Sequence, residues 1–223
     1  MFDKRINIFT GHFGSGKSEI AVNYAFKLNQ MNYRTAIADL DVVNPFFRTT
    51  DVKSELEANG IHVVTTLYAN TNVDVPALSP EINKLFENKD FKVVLDVGGD
   101  DLGAKVLGRY KEQIVNDSYR MYCVINTKRP MTDTKEKIIS MIRDIEESSG
   151  IKVDMLINNT NLLQNTTPDD IMEGHELIKQ VSEELSIPIA FACGFSSTLN
   201  SIREKLQGKV FYLNKYIKLP WDN

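Results

Sequence analysis

Short apolar runs alternate along this chain with longer segments of helical periodicity. Seven runs are rich in apolar or β-branched side chains and predict strands at residues 6–10, 35–38, 62–66, 92–97, 121–126, 153–157 and 189–193. Several of them show no polar alternation, which is typical of strands that are buried on both faces of a parallel sheet.

Amphipathic segments separate several of these runs. Residues 18–29, 132–148 and 169–185 place apolar side chains three and four positions apart, which predicts helices. The alternation of strands and helices predicts an α/β fold. We expect one doubly wound, mostly parallel β-sheet flanked by helices, in a single domain over residues 1–223.

The segment after the first predicted strand fits the phosphate-binding pattern G-x-x-x-x-G-K-[ST]. Glycines let its backbone curl so that successive N–H groups point at an anion, beside the positive end of the next helix. We expect Lys17 to reach the β- and γ-phosphates and the hydroxyl of Ser18 to bind Mg²⁺, in a P-loop NTPase fold. The whole segment is predicted to bind nucleotide: Gly11, His12, Phe13, Gly14, Ser15, Gly16, Lys17 and Ser18.

Acidic residues follow the second and fourth predicted strands, at the sheet edge where ligands bind in such folds. Asp39 and Asp41 point to opposite sides if the strand continues through both, and both approach the phosphates if the chain turns at Leu40. Asp41 as a simple turn cap is the alternative. Asp96 closes an apolar run and predicts a carboxylate for Mg²⁺. Gly99 is expected to donate its N–H to a γ-phosphate as a nucleotide-sensing switch.

These motifs together resemble the MinD/ParA/CobQ-type P-loop ATPases, a branch of the SIMIBI class of nucleotide-binding domains. The resemblance covers most of the chain and implies ATP and Mg²⁺ as ligands. It makes Asp39, with Ser18 and Asp96, a magnesium-site candidate, and it makes Asp41, with Lys17, a catalytic candidate that positions the attacking water. It also points to Asn158 or Asn159 as the reader of the adenine edge, because an amide matches adenine's adjacent donor and acceptor. The alternative is that these asparagines only populate a turn.

The chain departs from that family at several places. In that family, the second position of the phosphate loop is a lysine that reaches across a nucleotide-sandwich dimer. In this chain the same position is His12. A mostly neutral imidazole cannot supply that cation, so the sandwich mechanism is in question while phosphate binding is not. His12 is then either a solvent-facing loop residue or a contact to phosphate or partner. The cysteines Cys123 and Cys193 form no metal-binding pair and are expected to be buried.

The C-terminal segment 202–221 mixes lysines with apolar residues. Gly208 and Pro220 interrupt the pattern, which argues against a membrane-binding amphipathic helix. We therefore expect this segment to form a helix that docks on the domain.

Base choice is addressed by the segment after the fifth predicted strand. GTPases read guanine through N-K-x-D, and the residues from Asn126 onward, Asn-Thr-Lys-Arg, do not match it. ATP is therefore favoured over GTP. Asn126, Lys128 and Arg129 either contact an anionic ligand or form a solvated basic turn.

The composition is that of an ordinary globular domain, with 42% hydrophobic and 25% charged residues and a formal net charge of −4. This balance disfavours a broadly basic nucleic-acid-binding surface. No run approaches the ~18 apolar residues needed to cross a bilayer, and the first residues lack the pattern of a secretory signal. We expect a cytoplasmic protein.

The leading hypothesis is an ATP-dependent switch with slow hydrolysis, in which loops 42–50 and 98–103 respond to the γ-phosphate and signal to a client protein. A homodimer is compatible with it. The alternative is an ATP-dependent small-molecule ligase or kinase of the cobyrinate-amidase or dethiobiotin-synthetase type, with Asp41, Asn44 and Arg48 binding the acceptor. A third hypothesis is a nucleotide-binding scaffold with negligible turnover.

Overall fold

A computed structural model describes residues 1–41, 49–65 and 80–218 of the chain. The described strands form one sheet in the order β3-β2-β4-β1-β5-β6-β7-β8, and every neighbouring pair is parallel. This confirms the predicted α/β fold. The strands are β1 (Ile6–Thr10), β2 (Thr35–Asp39), β3 (His62–Thr65), β4 (Lys92–Asp96), β5 (Tyr119–Ile125), β6 (Met155–Asn158), β7 (Ile189–Gly194) and β8 (Val210–Tyr212).

The helices lie on both faces of this sheet. Phe9 and Ile37 belong to a core shared with α1 and α2, whereas Ile8 and Leu95 belong to a second core shared with α3 to α7. The described helices are α1 (Lys17–Gln30), α2 (Lys53–Ala58), α3 (Glu81–Glu87), α4 (Asp101–Gly108), α5 (Lys111–Val115), α6 (Lys135–Ser149), α7 (Pro168–Leu185) and α8 (Ser196–Leu199), with short 3-10 turns at Thr49–Val52 and Leu163–Asn165.

Local capping explains where the long helices begin and end. Thr167 accepts the N–H of Asp170 at 3.2 Å, and the Asp170 carboxylate accepts the N–H of Thr167 at 2.9 Å. Pro168 occupies the first helical position, which suits its missing N–H. α7 ends at Leu185, and its C-cap Ser186, two residues before Pro188, adopts the left-handed conformation with φ of 55°. The three predicted helices are confirmed to within a few residues at each end.

The C-terminal segment differs from its prediction. Residues 202–218 contain no helix, and the segment instead adds β8 to the edge of the sheet beside β7. The remainder of the predicted helix, 219–221, lies outside the described residues. A strand is favoured here because Val210 and Phe211 lie beside the exposed edge of β7, whose backbone they pair. Both cysteines are buried, as predicted.

Candidate active site

The phosphate loop connects β1 to α1 in a tight curve. Ser15 N–H donates to the carbonyl of His12 at 3.0 Å, and α1 begins at Lys17 after Gly16, which has φ of 85°. A Cβ on Gly16 would lie 2.3 Å from the amide nitrogen of Asn159. Glycine is therefore required both by the backbone conformation and by the close approach of Asn159.

Lys17 forms an ion pair with Asp41 inside the protein. Lys17 Nζ lies 2.6 Å from Asp41 Oδ2, and the two side chains are 6% and 5% exposed. Burial by itself lowers the pKa of Lys17, but the carboxylates of Asp96 and Asp41 outweigh it and hold that pKa above its ordinary value. Lys17 is therefore a fixed cation of the site.

The end of β2 decides between the two orientations considered for its acids. The strand ends at Asp39, and Leu40 N–H then donates to the main-chain carbonyl of Asp96 at 2.8 Å. Asp39 Oδ1 accepts the N–H of Asp41 at 3.1 Å, and both carboxylates contribute to the raised pKa of Lys17. The chain therefore turns at Leu40 and leaves both acids on the side of the phosphate loop.

Asp96 is the register partner of Asp39 across β2 and β4 and is fully buried. The hydroxyl of Thr49 donates to its Oδ2 at 2.9 Å, whereas Oδ1 has no hydrogen-bond partner among the described residues. Burial raises the pKa of the Asp96 carboxyl, and the nearby Lys17 ammonium and Ser18 hydroxyl oppose that rise. The orphaned oxygen gives this site room for one more positive partner.

These side chains fit a magnesium ion that is shared with a nucleotide. Carboxylate and hydroxyl oxygens are the ligands that Mg²⁺ prefers, and it commonly keeps waters and phosphate oxygens as its other ligands. Among the described residues, no group of three or more His, Cys, Asp or Glu side chains converges on a metal position. The described part of the chain thus offers a few oxygen ligands for the ion.

Gly99 lies directly against the phosphate loop. A Cβ at Gly99 would come 2.1 Å from the carbonyl oxygen of Gly11, and the hydroxyl of Thr10 donates to the carbonyl of Gly98 at 3.4 Å. The segment after β4 and the segment after β1 therefore pack main chain against main chain. The proposed contact of the Gly99 N–H with a γ-phosphate stays a prediction.

A cleft of about 360 Å³ extends from the phosphate loop along the same edge of the sheet. It is walled by the start of α1, by the loops after β5, β6 and β7, and by the C-terminal segment. Several walls are apolar, from Leu163, Phe195, Leu213 and Ile217. A largely apolar cleft with a few polar groups suits a planar heterocyclic base.

The two candidate asparagines of this edge differ in their surroundings. Asn158 is fully buried, donates to the carbonyl of Ile171 at 3.0 Å and accepts the N–H of Thr160 at 3.0 Å. Asn159 instead donates to the carbonyl of Ser15 at 2.7 Å and lines the cleft. The structure therefore places Asn159 beside the phosphate loop and ties Asn158 into the core.

Asn126, Lys128 and Arg129, in the segment after β5, make different contacts. The Asn126 amide donates to the carbonyl of Asn161 and accepts N–H groups of Lys128 and Asn161, so it holds the loops together. Lys128 Nζ pairs with Asp170 at 2.8 Å. Arg129 points the other way and donates from Nε to the carbonyl of Gly14 at 3.1 Å. Of these three residues, Arg129 alone contacts the phosphate loop.

His12 makes a local contact, with Nδ1 lying 3.2 Å from the carbonyl oxygen of Phe13. This arrangement favours the solvent-facing loop residue over a phosphate contact. Asn44 and Arg48, together with residues 42–48 of the first predicted switch loop, lie outside the described residues.

Two features of the site were not predicted from the sequence. The first is Thr49, whose bond to Asp96 has no signal in the local sequence. The second is Glu19, whose carboxylate accepts the N–H groups of Tyr216 at 2.8 Å and Ile217 at 3.1 Å. Asn23, one helical turn later, exchanges two hydrogen bonds with the main chain of Asn214. The C-terminal segment is therefore attached to the helix that carries Lys17.

Comparison with solved structures identifies the fold. FtsY from Mycoplasma mycoides matches with a TM-score of 0.54 and 17% identity, over 86% of this chain and 62% of its own. FtsY from Thermotoga maritima matches with a TM-score of 0.57 and 19% identity, over 85% and 61%. The signal recognition particle 54 kDa protein from Aeropyrum pernix, solved with GDP, matches with a TM-score of 0.55 and 14% identity, over 85% and 41%.

This chain thus spans less than two thirds of the length of each of these proteins. At such low identity the likeness shows the fold alone, and this fold is the P-loop NTPase fold. No protein-family model and no curated protein matched the chain. Within the described ranges, no helix is long and apolar enough to cross a membrane.

Proposed function

We propose that this protein is a nucleotide switch of the MinD/ParA/CobQ type that binds and hydrolyses ATP with Mg²⁺. The observation that carries the proposal is the buried cluster of Lys17 with Asp39, Asp41 and Asp96 beside the phosphate loop. An ammonium and carboxylates are costly to bury without a function that needs them. Their common position at the carboxyl ends of β1, β2 and β4 is where such folds bind ligands.

Each residue of the cluster has a distinct role in this proposal. The main-chain N–H groups of the phosphate loop and Lys17 bind the phosphates, while Ser18, Asp39 and Asp96 hold Mg²⁺ directly or through water. The metal, when bound, neutralises charge on the phosphate oxygens. A triphosphate competes with Asp41 for Lys17, so nucleotide binding releases the Asp41 carboxylate to orient the attacking water.

The cleft supports adenine rather than guanine as the base. Guanine recognition uses a carboxylate that accepts two N–H groups, whereas an amide complements the adjacent donor and acceptor of adenine. Among the described residues that line the cleft, Glu19 is the one carboxylate, and its oxygens already accept the N–H groups of Tyr216 and Ile217. Asn159 and Asn161 supply amides.

The switch function is supported by the contact of Gly99 with Gly11. The main chains at Gly11 and Gly99 touch. A γ-phosphate that moves one of these segments must therefore also move the other. Differential contact with triphosphate and diphosphate is the source of free energy for such a switch. The partner that responds to the nucleotide state is proposed to be a client protein in the cytoplasm.

Calorimetry and a phosphate-release assay test the proposal. Purified protein with Mg²⁺ should bind ATP more tightly than GTP and release phosphate slowly without any added metabolite. Lys17→Ala should abolish both binding and release. Asp41→Asn should retain binding and lower release roughly 100-fold or more, as expected for loss of a group that orients or activates water. Asp51→Asn, at an exposed acid ten positions further along the chain, is the matched control.

Other outcomes of these assays would point elsewhere. Phosphate release that requires a small carboxylate or hydroxyl acceptor would favour the ligase or kinase. Binding with no release would favour the scaffold. Preference for GTP would refute the assignment of adenine, and no uptake of either nucleotide would refute the proposed function altogether.

A further inference from the structure

Arg129 occupies an unusual position for a residue of a basic surface turn. It follows β5, yet its side chain crosses to the segment after β1, where Nε donates to the carbonyl of Gly14 at 3.1 Å. A Cβ on Gly14 would lie 3.4 Å from Nε and 3.7 Å from the guanidinium carbon. The guanidinium thus packs on the phosphate loop itself and lines the cleft with Lys17 and Ser18.

The turn that carries Arg129 is held in place by hydrogen bonds. The hydroxyl of Thr132 donates to the carbonyl of Asn126 at 2.7 Å, and Thr132 N–H donates to the carbonyl of Arg129 at 2.9 Å. Lys128 N–H donates to Asn126 Oδ1 at 3.1 Å. Because the backbone is fixed on both sides of Arg129, its side chain is presented to the phosphate loop at a low cost in conformational entropy.

Lys128, the residue before Arg129, forms ion pairs at the surface. Lys128 Nζ is paired with Asp170 at 2.8 Å and with Glu173 at 2.9 Å. Arg129 forms no ion pair with any described residue. A guanidinium has five N–H donors in a planar fork, and the bond to Gly14 uses one of them. Its remaining donors are available to an anion.

The excess of carboxylates in the site favours a further cation for binding a triphosphate. Lys17 is already balanced by Asp41 at 2.6 Å, with Asp39 and Asp96 close by. A triphosphate adds several negative charges, of which one metal ion neutralises only a part. Arginine matches phosphate oxygens in a bidentate way and stays charged at any physiological pH.

We propose that Arg129 is a second phosphate-binding cation of this site, which donates from its terminal nitrogens to the phosphate chain of the nucleotide bound in the same subunit. This inference rests on the proposed function. The hydrogen bond from Nε to Gly14 then orients the terminal nitrogens of the guanidinium toward the phosphates. The cation belongs to the subunit that binds the nucleotide, and it does not reach across a dimer interface. Arg129 acts on phosphate and is indifferent to the base.

The experiment compares Arg129→Ala with Lys128→Ala, which removes one positive charge from the same turn. Dissociation constants for ATP and for adenosine are measured by calorimetry or by displacement of a fluorescent analogue, with Mg²⁺ and at two salt concentrations. We expect Arg129→Ala to weaken ATP binding about tenfold or more, the loss of one charge-assisted hydrogen bond. Adenosine affinity should stay within twofold, and the salt dependence of ATP binding should decrease. Lys128→Ala should leave the ATP affinity within twofold of the wild type.

Arg129→Lys distinguishes a charge contact from a purely structural bond to Gly14. A lysine retains the positive charge without the fork, so it should recover part of the ATP affinity that the alanine variant loses. Equal losses for ATP and adenosine would overturn the proposal, as would wild-type ATP affinity in a folded Arg129→Ala protein. If the wild-type protein bound neither ATP nor GTP, the proposed function would fail and this inference with it.

Discussion

Lys17 and Asp41 neutralise one another inside the protein, with Nζ 2.6 Å from Oδ2. The pair joins the first residue of α1 to the segment that leaves β2. Lys17, proposed to bind phosphate, and Asp41, proposed to orient the attacking water, are therefore paired in the protein without nucleotide. The pair therefore has consequences for stability as well as for function.

Breaking the Lys17–Asp41 pair from either side should destabilise the protein strongly. Lys17→Met or Asp41→Asn breaks this buried ion pair from one side, which costs about 3–5 kcal/mol of unfolding free energy. The double variant should lose much less than the sum, because neither charge then remains. Urea denaturation of the four proteins in a double-mutant cycle measures the coupling. Additive losses would contradict a direct pair.

Gly99→Ala should disturb the phosphate loop without touching a charged group. Its Cβ would lie 2.1 Å from the Gly11 carbonyl oxygen, so one of the two segments must move, at a cost of ~1–3 kcal/mol. We expect weaker ATP binding and lower unfolding free energy. Gly108→Ala is the control, since its Cβ would lie 3.3 Å from the carbonyl oxygen of Ser148, a contact that small shifts relieve. Equal behaviour of the two variants would refute the interpretation.

The two asparagines after β6 should respond differently to alanine. Asn158→Ala leaves the Ile171 carbonyl and the Thr160 N–H without their partner, so it should lower the unfolding free energy by about 1–3 kcal/mol. Its ratio of ATP to GTP affinity should not change. Asn159→Ala should change that ratio. Calorimetry with both nucleotides checks this, and a changed ratio in Asn158→Ala would show that the wrong asparagine is assigned to the base.

Glu19→Gln should loosen the C-terminal segment. Tyr216 and Ile217 donate to different oxygens of the Glu19 carboxylate, and glutamine places an NH₂ donor where one of those oxygens accepts. Hydrogen exchange at one or both of these amides should become faster, while exchange in β5 stays unchanged. Glu183→Gln, an exposed position on α7, is the control. Unchanged protection at residues 216 and 217 would contradict the contact.

Acid should remove the contribution of Asp117 to stability. Burial by itself raises the pKa of Asp117, but hydrogen bonds from Arg5 and Lys89 outweigh it and hold that pKa well below its ordinary value of 3.8. A lowered folded-state pKa gives stability that is complete above the unfolded-state pKa and is lost as the pH falls below about 4. Asp117→Asn should therefore be less stable than the wild type at pH 6, with a smaller difference at pH 3.

Asp3 provides the comparison for that experiment. Its hydrogen bonds from Arg120 lower its pKa to about 2, but its side chain is 57% exposed. Solvent screens an exposed pair, so Asp3→Asn should change the free energy of unfolding less than Asp117→Asn does at pH 6. Urea midpoints at both pH values decide the order.

The fold was predictable because its signals are local. Buried parallel strands are continuous apolar runs, and the phosphate loop is a contiguous motif between a strand and a helix. All seven predicted strands begin and end within two residues of their predicted positions. β6 begins at Met155, two residues later than predicted, where its pairing with β5 starts. β8 was missed because three residues carry too little periodicity to outweigh the pattern of the surrounding segment.

The site was predictable only as far as single residues could be placed at strand ends. Its acids and its lysine follow from their positions after β1, β2 and β4. Their distant partners do not: the bond between Thr49 and Asp96 spans 47 positions of the chain, and the contact of Arg129 with Gly14 spans 115. Likewise, Asn158 and Asn159 are equivalent by composition and differ only through their neighbours in space.

The attachment of residues 214–217 to Glu19 and Asn23 offers an optical handle on this protein. The chain has one tryptophan, Trp221, a few residues beyond that attachment. A rearrangement in the first turn of α1 would move residues 214–217, which precede Trp221 in the sequence. We expect intrinsic emission, followed in stopped flow, to give a label-free signal of changes at the start of α1.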